Sequence, residues 1–300
     1  MRRFRDPGTP SMRAARSVPE TMGLVLLALL PGVAAMTLFF GPGVLRQIAL
    51  AVGFALALEA MMLRLRGAPL RPALGDLSAP LAAMLFALAL PPTAPWWMNL
   101  VGVAAAIVVA KHLFGGLGHN PFNPAMVGVA VVVVAFPYEY TRWIAPGQWD
   151  TLAQATPLDL VRQQVRQGFT LAEIRTDPAF GAFGGRGWAW VAGAYALGGA
   201  FLLWKRVIPW QTPAAVLGTT VLLSLPLWLY DPGLHPSPVA HLLSGALVMA
   251  AFFIATDPVS GCTTPRGRLA FGAGVAVLTL AIRRWGGHRD GVGFAVLPMN

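Results

Sequence analysis

Cysteine is almost missing from this chain. The single one, Cys262, excludes an internal disulfide and cannot hold an iron–sulfur cluster, which takes about four thiolates. It reads as a small buried residue without a redox role. Charge is scarce as well. Only 11% of the 300 residues are charged, against roughly 25% in soluble domains. There is no Walker A loop, no His-Glu-x-x-His and no Gly-x-Ser-x-Gly, which removes the common nucleotide, metalloprotease and serine-hydrolase readings. The histidines at 112, 119, 235, 241 and 288 are scattered without a close ligand pair, so no metal site is expected. What remains is apolar: 56% hydrophobic residues and a mean hydropathy of +0.62 place the chain in the membrane class.

Apolar runs fall near 23–40, 46–63, 78–94, 96–114, 123–138, 187–204, 208–229, 237–256 and 268–283, and a tenth begins at Gly291. Alternation of period two is missing, so these are helices and not barrel strands. The tenth run, Gly291 to Asn300, is too short to span, so the last helix is expected to be incomplete. The net charge of +10 does not signal nucleic acid, because the basic residues sit at the ends of apolar runs. With a cytoplasmic N-terminus, thirteen basic residues, among them Arg64, Arg66, Lys111 and Arg268, fall in inner segments. Four (Arg46, Arg283, Arg284 and Arg289) fall in short outer loops, a ratio that supports this sidedness, although the Arg283–Arg289 cluster violates the positive-inside rule locally. A Gly-Gly segment precedes both the fifth and the tenth run. An odd number of spans separates them, which suggests two inverted halves with sites near broken helices.

Four places could carry chemistry. The stretch Lys111 to Met126 holds Gly115, Gly116, Gly118, His119 and two Asn-Pro steps at Asn120 and Asn123. It reads as a hairpin or as a broken helix whose amides and Asn side chains face a ligand. Asp257 closes an apolar run; it is an interfacial helix start or an intramembrane acid paired with Arg266 or Arg268. Glu59 lies inside a span and either reaches toward Arg64 or Arg66 at the interface or faces an internal path for a cation. The polar stretch 138–187 is too long for a mere connection. Within it Thr156-Pro157-Leu158-Asp159 has the signature of an N-cap followed by proline, starting an amphipathic helix over Leu158–Gln167 with Leu158, Val161 and Val165 on one face. A phosphate on Thr156 would lie among the free amides of that helix start.

Lys111–Met126, Ala155–Asp159 and Ala255–Arg268, in this order and spacing, resemble the D subunit of the Rnf ion-translocating electron-transport complex. The B subunit of the sodium-pumping NADH:quinone oxidoreductase is a more distant relative. The resemblance covers essentially the whole chain. It implies an all-α integral membrane protein of about ten transmembrane helices in two inverted five-helix repeats. Residues 1–22 would be a cytoplasmic segment, 23–138 the first repeat, 139–186 an extracytoplasmic loop and 187–300 the second repeat. It implies FMN joined by a phosphoester to Thr156, with Asp150 and Ala155 matching the attachment pattern, whereas Ala153 stands where that pattern often has Ser or Thr. A second, non-covalent flavin (riboflavin) is implied too, with no residues assigned to it. Separately, the glycine-rich stretch and the loop at Asp257 offer Gly115, Gly116, Gly118, Asn120, Asn123 and Asp257 as general cofactor-binding candidates. The implied partners are the other membrane and peripheral subunits, including an FMN-bearing G-type subunit, a flavin transferase and the lipid of a prokaryotic cytoplasmic (inner) membrane, but no nucleic acid. Such a subunit couples electron transfer to ion translocation only within its complex. The rivals are a small-solute channel or transporter on the same scaffold, which leaves the long loop idle, and a purely structural subunit.

Overall fold

The computed structural model describes residues 16–153, 161, 163–165, 167–174, 180–181, 184–185, 187–286 and 291–300. Helices dominate, and each begins or ends for a local reason. α1 (Val18–Phe40) starts where the Ser17 hydroxyl accepts from the Glu20 amide, and α2 (Gly43–Leu65) follows after a turn at Gly41. α3 (Ser78–Leu88) stops early. Pro91, Pro92 and Pro95 withhold amide donors, so the run 78–94 ends in irregular backbone and not in a full span. α4 (Trp96–His112) passes from α-helix into a π segment, Ala105–His112. α5 (Pro124–Ala135) starts on the Asn123 cap with proline at its first position.

The second half follows with α6 (Trp188–Trp204) and α7 (Gln211–Tyr230). The run 237–256 is not one helix. α8 is broken at Ser244, where Gly245 takes φ +76°, into Pro238–Leu243 and Leu247–Met249, and the second piece continues as a π segment, Ala250–Ile254. α9 (Pro265–Trp285) is capped by Thr264, and α10 (Val292–Val296) runs into a 3-10 turn, Leu297–Met299.

α1, α2, α7 and α9 are each long and apolar enough to cross a membrane, and α4, α5 and α6 are shorter apolar helices. Leucines on their outer faces, such as Leu38, Leu197 and Leu222, stay exposed, as lipid-facing residues do. The chain is a multi-pass membrane protein. α1 packs on α6, α2 on α3 and α4, α7 on α9, and α5 on α10. Small residues allow these close approaches: a Cβ at Gly128 of α5 would stand 2.6 Å from the Gly102 carbonyl oxygen of α4.

The 138–187 stretch is not wholly helical or loose. It carries two antiparallel ribbons, β1 (Trp143–Ala145) with β2 (Gln148–Ala153), and β3 (Phe180–Gly181) with β4 (Gly184–Gly185). Strands are compatible with a segment outside the hydrocarbon, where water can satisfy edge groups. The stretch is fastened to the bundle. The Gly147 amide donates to the Phe39 carbonyl at 2.9 Å, and the Leu171 amide to the Gly233 carbonyl at 2.8 Å. Trp143 packs on Phe40 and Trp188, with ring centres 5.9 and 5.4 Å away.

Candidate cofactor sites at the two ends of the bundle

Among the described residues, a cavity lies at each of two opposite ends of the helices. The first, of about 260 Å3, sits where the glycine-rich hairpin before α5 meets the loop between α8 and α9. Asn120, Asn123, Lys111, Ser78, Thr212 and Asp257 give it polar walls, and Met22, Leu85, Phe252 and Phe253 give it apolar ones. Asn123 ties the two halves of the chain together here. Its Oδ1 accepts from the Met126 amide at 3.3 Å, and its Nδ2 donates to the Ile254 carbonyl at 3.4 Å. Asn120 Nδ2 donates to the Phe122 carbonyl at 3.1 Å. Both asparagines are buried.

A charge cluster adjoins this cavity. Glu59 is 2% exposed and Lys111 3%. Lys111 Nζ donates to Glu59 Oε1 at 2.7 Å and to Ser78 Oγ at 2.8 Å, and Ser78 Oγ donates onward to Asp76 at 2.5 Å. His112 is held between two groups. Its Nδ1 lies 3.3 Å from Arg66 Nη1, and its Nε2 lies 3.0 Å from Glu59 Oε2 without the direction of a full hydrogen bond. Arginine can only donate, so Nδ1 accepts and Nε2 carries the proton that faces Glu59. Glu59 therefore reaches neither Arg64 nor Arg66. Burial favours the partner that is equally buried, and the last turn of the α4 π segment presents Lys111 and His112 to it. Arg66 instead donates to the Gly115 carbonyl at 3.0 Å and fastens the hairpin.

The second cavity, of about 780 Å3, opens at the other end between α7 and α9. Its walls are apolar, from Leu222, Leu223, Leu227, Val277, Leu280 and Trp285, and its rim is basic, from His235, Arg283 and Arg284. Arg284 Nη1 lies 3.1 Å from His235 Nδ1, which orients both side chains. Val161 and Val165 of the 138–187 stretch close one side. Nearby, the Thr170 backbone amide and then its hydroxyl donate to the Glu173 carboxylate, both at 2.8 Å, and hold that group below the ordinary carboxylate range.

The sequence-predicted residues divide as follows. Asn120, Asn123 and Asp257 line the inner cavity, whereas Gly115, Gly116 and Gly118 do not. Those glycines are needed for backbone conformation, with φ of +120°, +101° and +89°. Asp257 does not start a helix, and it does not pair with Arg266 or Arg268. It forms a turn in which Oδ1 accepts from the Val259 amide at 3.3 Å and Oδ2 from Ser260 Oγ at 2.7 Å, while Arg268 Nε donates to the Cys262 carbonyl. Cys262 is exposed and not buried; it lines the cavity because the loop before α9 stays open there. Asp150 belongs to β2. Thr156 and Ala155 lie outside the described residues. Proline after a polar cap starts helices at Asn123, Ser237 and Thr264, the signature that Thr156-Pro157 shares. Sequence reading gave no role to Ser78 or to the pairing of Lys111. The signal for the second was present, since a lysine inside the apolar run 96–114 needs a counter-charge.

Comparison with known proteins covers the same span. The family model of NQR2, RnfD and RnfE matches residues 7–300. The D subunit of the ion-translocating oxidoreductase complex of Aeromonas hydrophila is 44% identical, over 99% of this chain and 94% of that one. Its namesake from Vibrio cholerae serotype O1 is 44% identical over 97% and 93%. That of Salmonella paratyphi B is 44% identical over 99% and 94%. With both the match to the family model and these relatives running almost end to end, the chain belongs to the NQR2, RnfD, RnfE family.

Proposed function

We propose that this chain is the flavin-bearing membrane subunit of a multisubunit complex that couples electron transfer to ion translocation across a prokaryotic cytoplasmic membrane. The relatives' shared name supports the complex and the ion translocation. The observation that carries the flavin is the outer pocket. Val161 and Val165 follow closely on Thr156 and line an apolar cavity with a basic rim. A ring tethered at Thr156 needs a pocket close to it along the chain, and the lining of this one suits a flavin chemically. Leu223, Leu227 and Trp285 would cover the ring, and Arg284 with His235 would meet the negative charge of the phosphoester. An FMN bound there supplies electron carriage, while the protein holds it, shields it and sets its surroundings.

The inner cavity is the place for the non-covalent flavin, with Asn120, Asn123 and Asp257 as polar partners. The 138–187 stretch faces outward, where a G-type FMN-bearing subunit can hand over electrons and a flavin transferase can reach Thr156. The packing of α1 on α6 and of α5 on α10 supports two inverted five-helix repeats, since the first and fifth helix of each half then meet their counterparts. The subunit works only within its complex.

Thr156→Ala tests the reading. The purified wild-type chain, from cells that hold the transferase and supply flavin, should fluoresce in a denaturing gel. Its intact mass should exceed that of Thr156→Ala by an FMN-sized adduct beyond the side-chain difference. The variant should still insert, because losing a surface N-cap costs only about 1 kcal/mol. A wild-type chain without adduct would return Thr156 to the role of a helix cap.

A further inference from the structure

A buried cation stands at the wall of the inner cavity. Lys111 and Ser78 both line that cavity, and the Lys111 ammonium donates to Ser78 Oγ at 2.8 Å and to Glu59 Oε1 at 2.7 Å. An ammonium has three N–H donors. One of them has no protein acceptor among the described residues. A desolvated charged donor left unmatched is costly, so it calls for an acceptor from the cavity side. Of the other ionic groups nearby, Asp76 accepts from Ser78, Arg66 holds the hairpin, Asp257 accepts from Ser260 and Val259, and Arg268, which also lines the cavity, donates through Nε to the Cys262 carbonyl.

We propose that Lys111 anchors the occupant of the inner cavity and sets its charge preference. Its remaining N–H meets an acceptor atom on the polar edge of a flat, electron-rich heteroaromatic ligand of the flavin class. Glu59 and Ser78 are positioning residues that hold the ammonium against the wall. This rests on the reading of the inner cavity as the non-covalent flavin site. A fixed cation at that edge favours whichever redox form of the ligand is more negative, so it raises the ligand's midpoint potential.

The test uses the purified complex and riboflavin. Riboflavin released by acid is quantified, then rebinding and the midpoint potential are measured by titration with dithionite. Lys111→Gln should weaken riboflavin binding about tenfold or more, the effect of one charge-assisted hydrogen bond. It should also lower the potential of what still binds. Lys111→Arg keeps a charged donor and should restore most of both. Ser78→Ala leaves the pair with Glu59 intact and should weaken binding by a smaller factor. Co-purification of the other subunits with each variant reports that the complex is assembled. Wild-type complex that binds no riboflavin overturns the flavin reading of the cavity and this anchor with it. Wild type that binds, with affinity and potential unchanged in Lys111→Gln, overturns the anchor alone. If Lys111→Gln does not assemble, unchanged affinity and potential in Ser78→Ala overturns it instead.

Discussion

An arginine inside a membrane bundle must find protein acceptors for its donors. Arg283 is 7% exposed and donates to the His241 carbonyl at 2.7 Å and to the Ser244 carbonyl at 3.0 Å. Those carbonyls belong to the interrupted end of the first α8 piece, where no intrahelical amide reaches them. Arg46 does similar work at Pro92 and Ala94, after α3 stops. Arg46 and Arg283, both expected from the sequence in outer loops, therefore act as carbonyl caps and weigh little as topology signals. The two should differ in weight. Gln47 Nε2 also donates to Pro92 and Ala94, at 3.2 and 2.6 Å, so Arg46 is backed up. Arg283→Leu should lower stability by about 1–3 kcal/mol per orphaned carbonyl. Arg46→Leu should cost clearly less. Thermal unfolding midpoints in detergent check the order, and equal losses would contradict it.

At the scale of elements, glycine decides how closely helices approach. A Cβ at Gly198 of α6 would overlap the Ala28 carbonyl oxygen of α1, and one at Gly32 of α1 would overlap the Tyr195 ring of α6. A Cβ at Gly193, on the same helix as Gly198, would meet nothing within 4 Å. Gly198→Ala should thus push α1 and α6 apart and destabilise the fold by about 1–3 kcal/mol, an overpacking cost. Gly193→Ala should be neutral or stabilising by up to about 1 kcal/mol, because alanine is the better helix former. Expression level and detergent melting of the pair give the comparison; similar behaviour of the two would mean that the α1–α6 contact is looser than it stands here. The two π segments, Ala105–His112 and Ala250–Ile254, both end at the inner cavity. Widened turns of this kind recur at functional sites, where they re-aim consecutive side chains.

For the whole molecule, the question is which end faces the cytoplasm. Arg64, Arg66, Lys205, Arg206 and Arg268 mark one end, and the stretch 138–187 the other. Gln163 is exposed and Ala73 half-buried near the opposite surface. Cys262 is exposed and would itself react, so the experiment needs a Cys262→Ser background. In it, Gln163→Cys should label with a membrane-impermeant thiol reagent in intact cells. Ala73→Cys should label only after permeabilisation. The reverse pattern would invert the topology.

Composition and hydropathy alone fix the class of the molecule. Scarce charge and long apolar runs leave helices in a bilayer as the only way to satisfy the backbone, and the spacing of Lys111–Met126 and Ala255–Arg268 pointed to the family. The sequence also located the hairpin asparagines, because Asn-Pro steps beside glycines are dense turn signals, and the second of them starts a helix at Pro124. Only the tertiary structure decided which charges meet. Glu59 lies 52 residues from Lys111 in sequence and Asn123 lies 131 from Ile254. Local pattern favoured the nearby Arg64 and Arg66 for Glu59, but burial selects a partner that loses its water at the same time. The breaks in α3 and α8 were likewise hidden in hydropathy. A window average measures how apolar a run is, whereas the path of the backbone depends on prolines, on Gly245 and on the arginines that donate to the freed carbonyls.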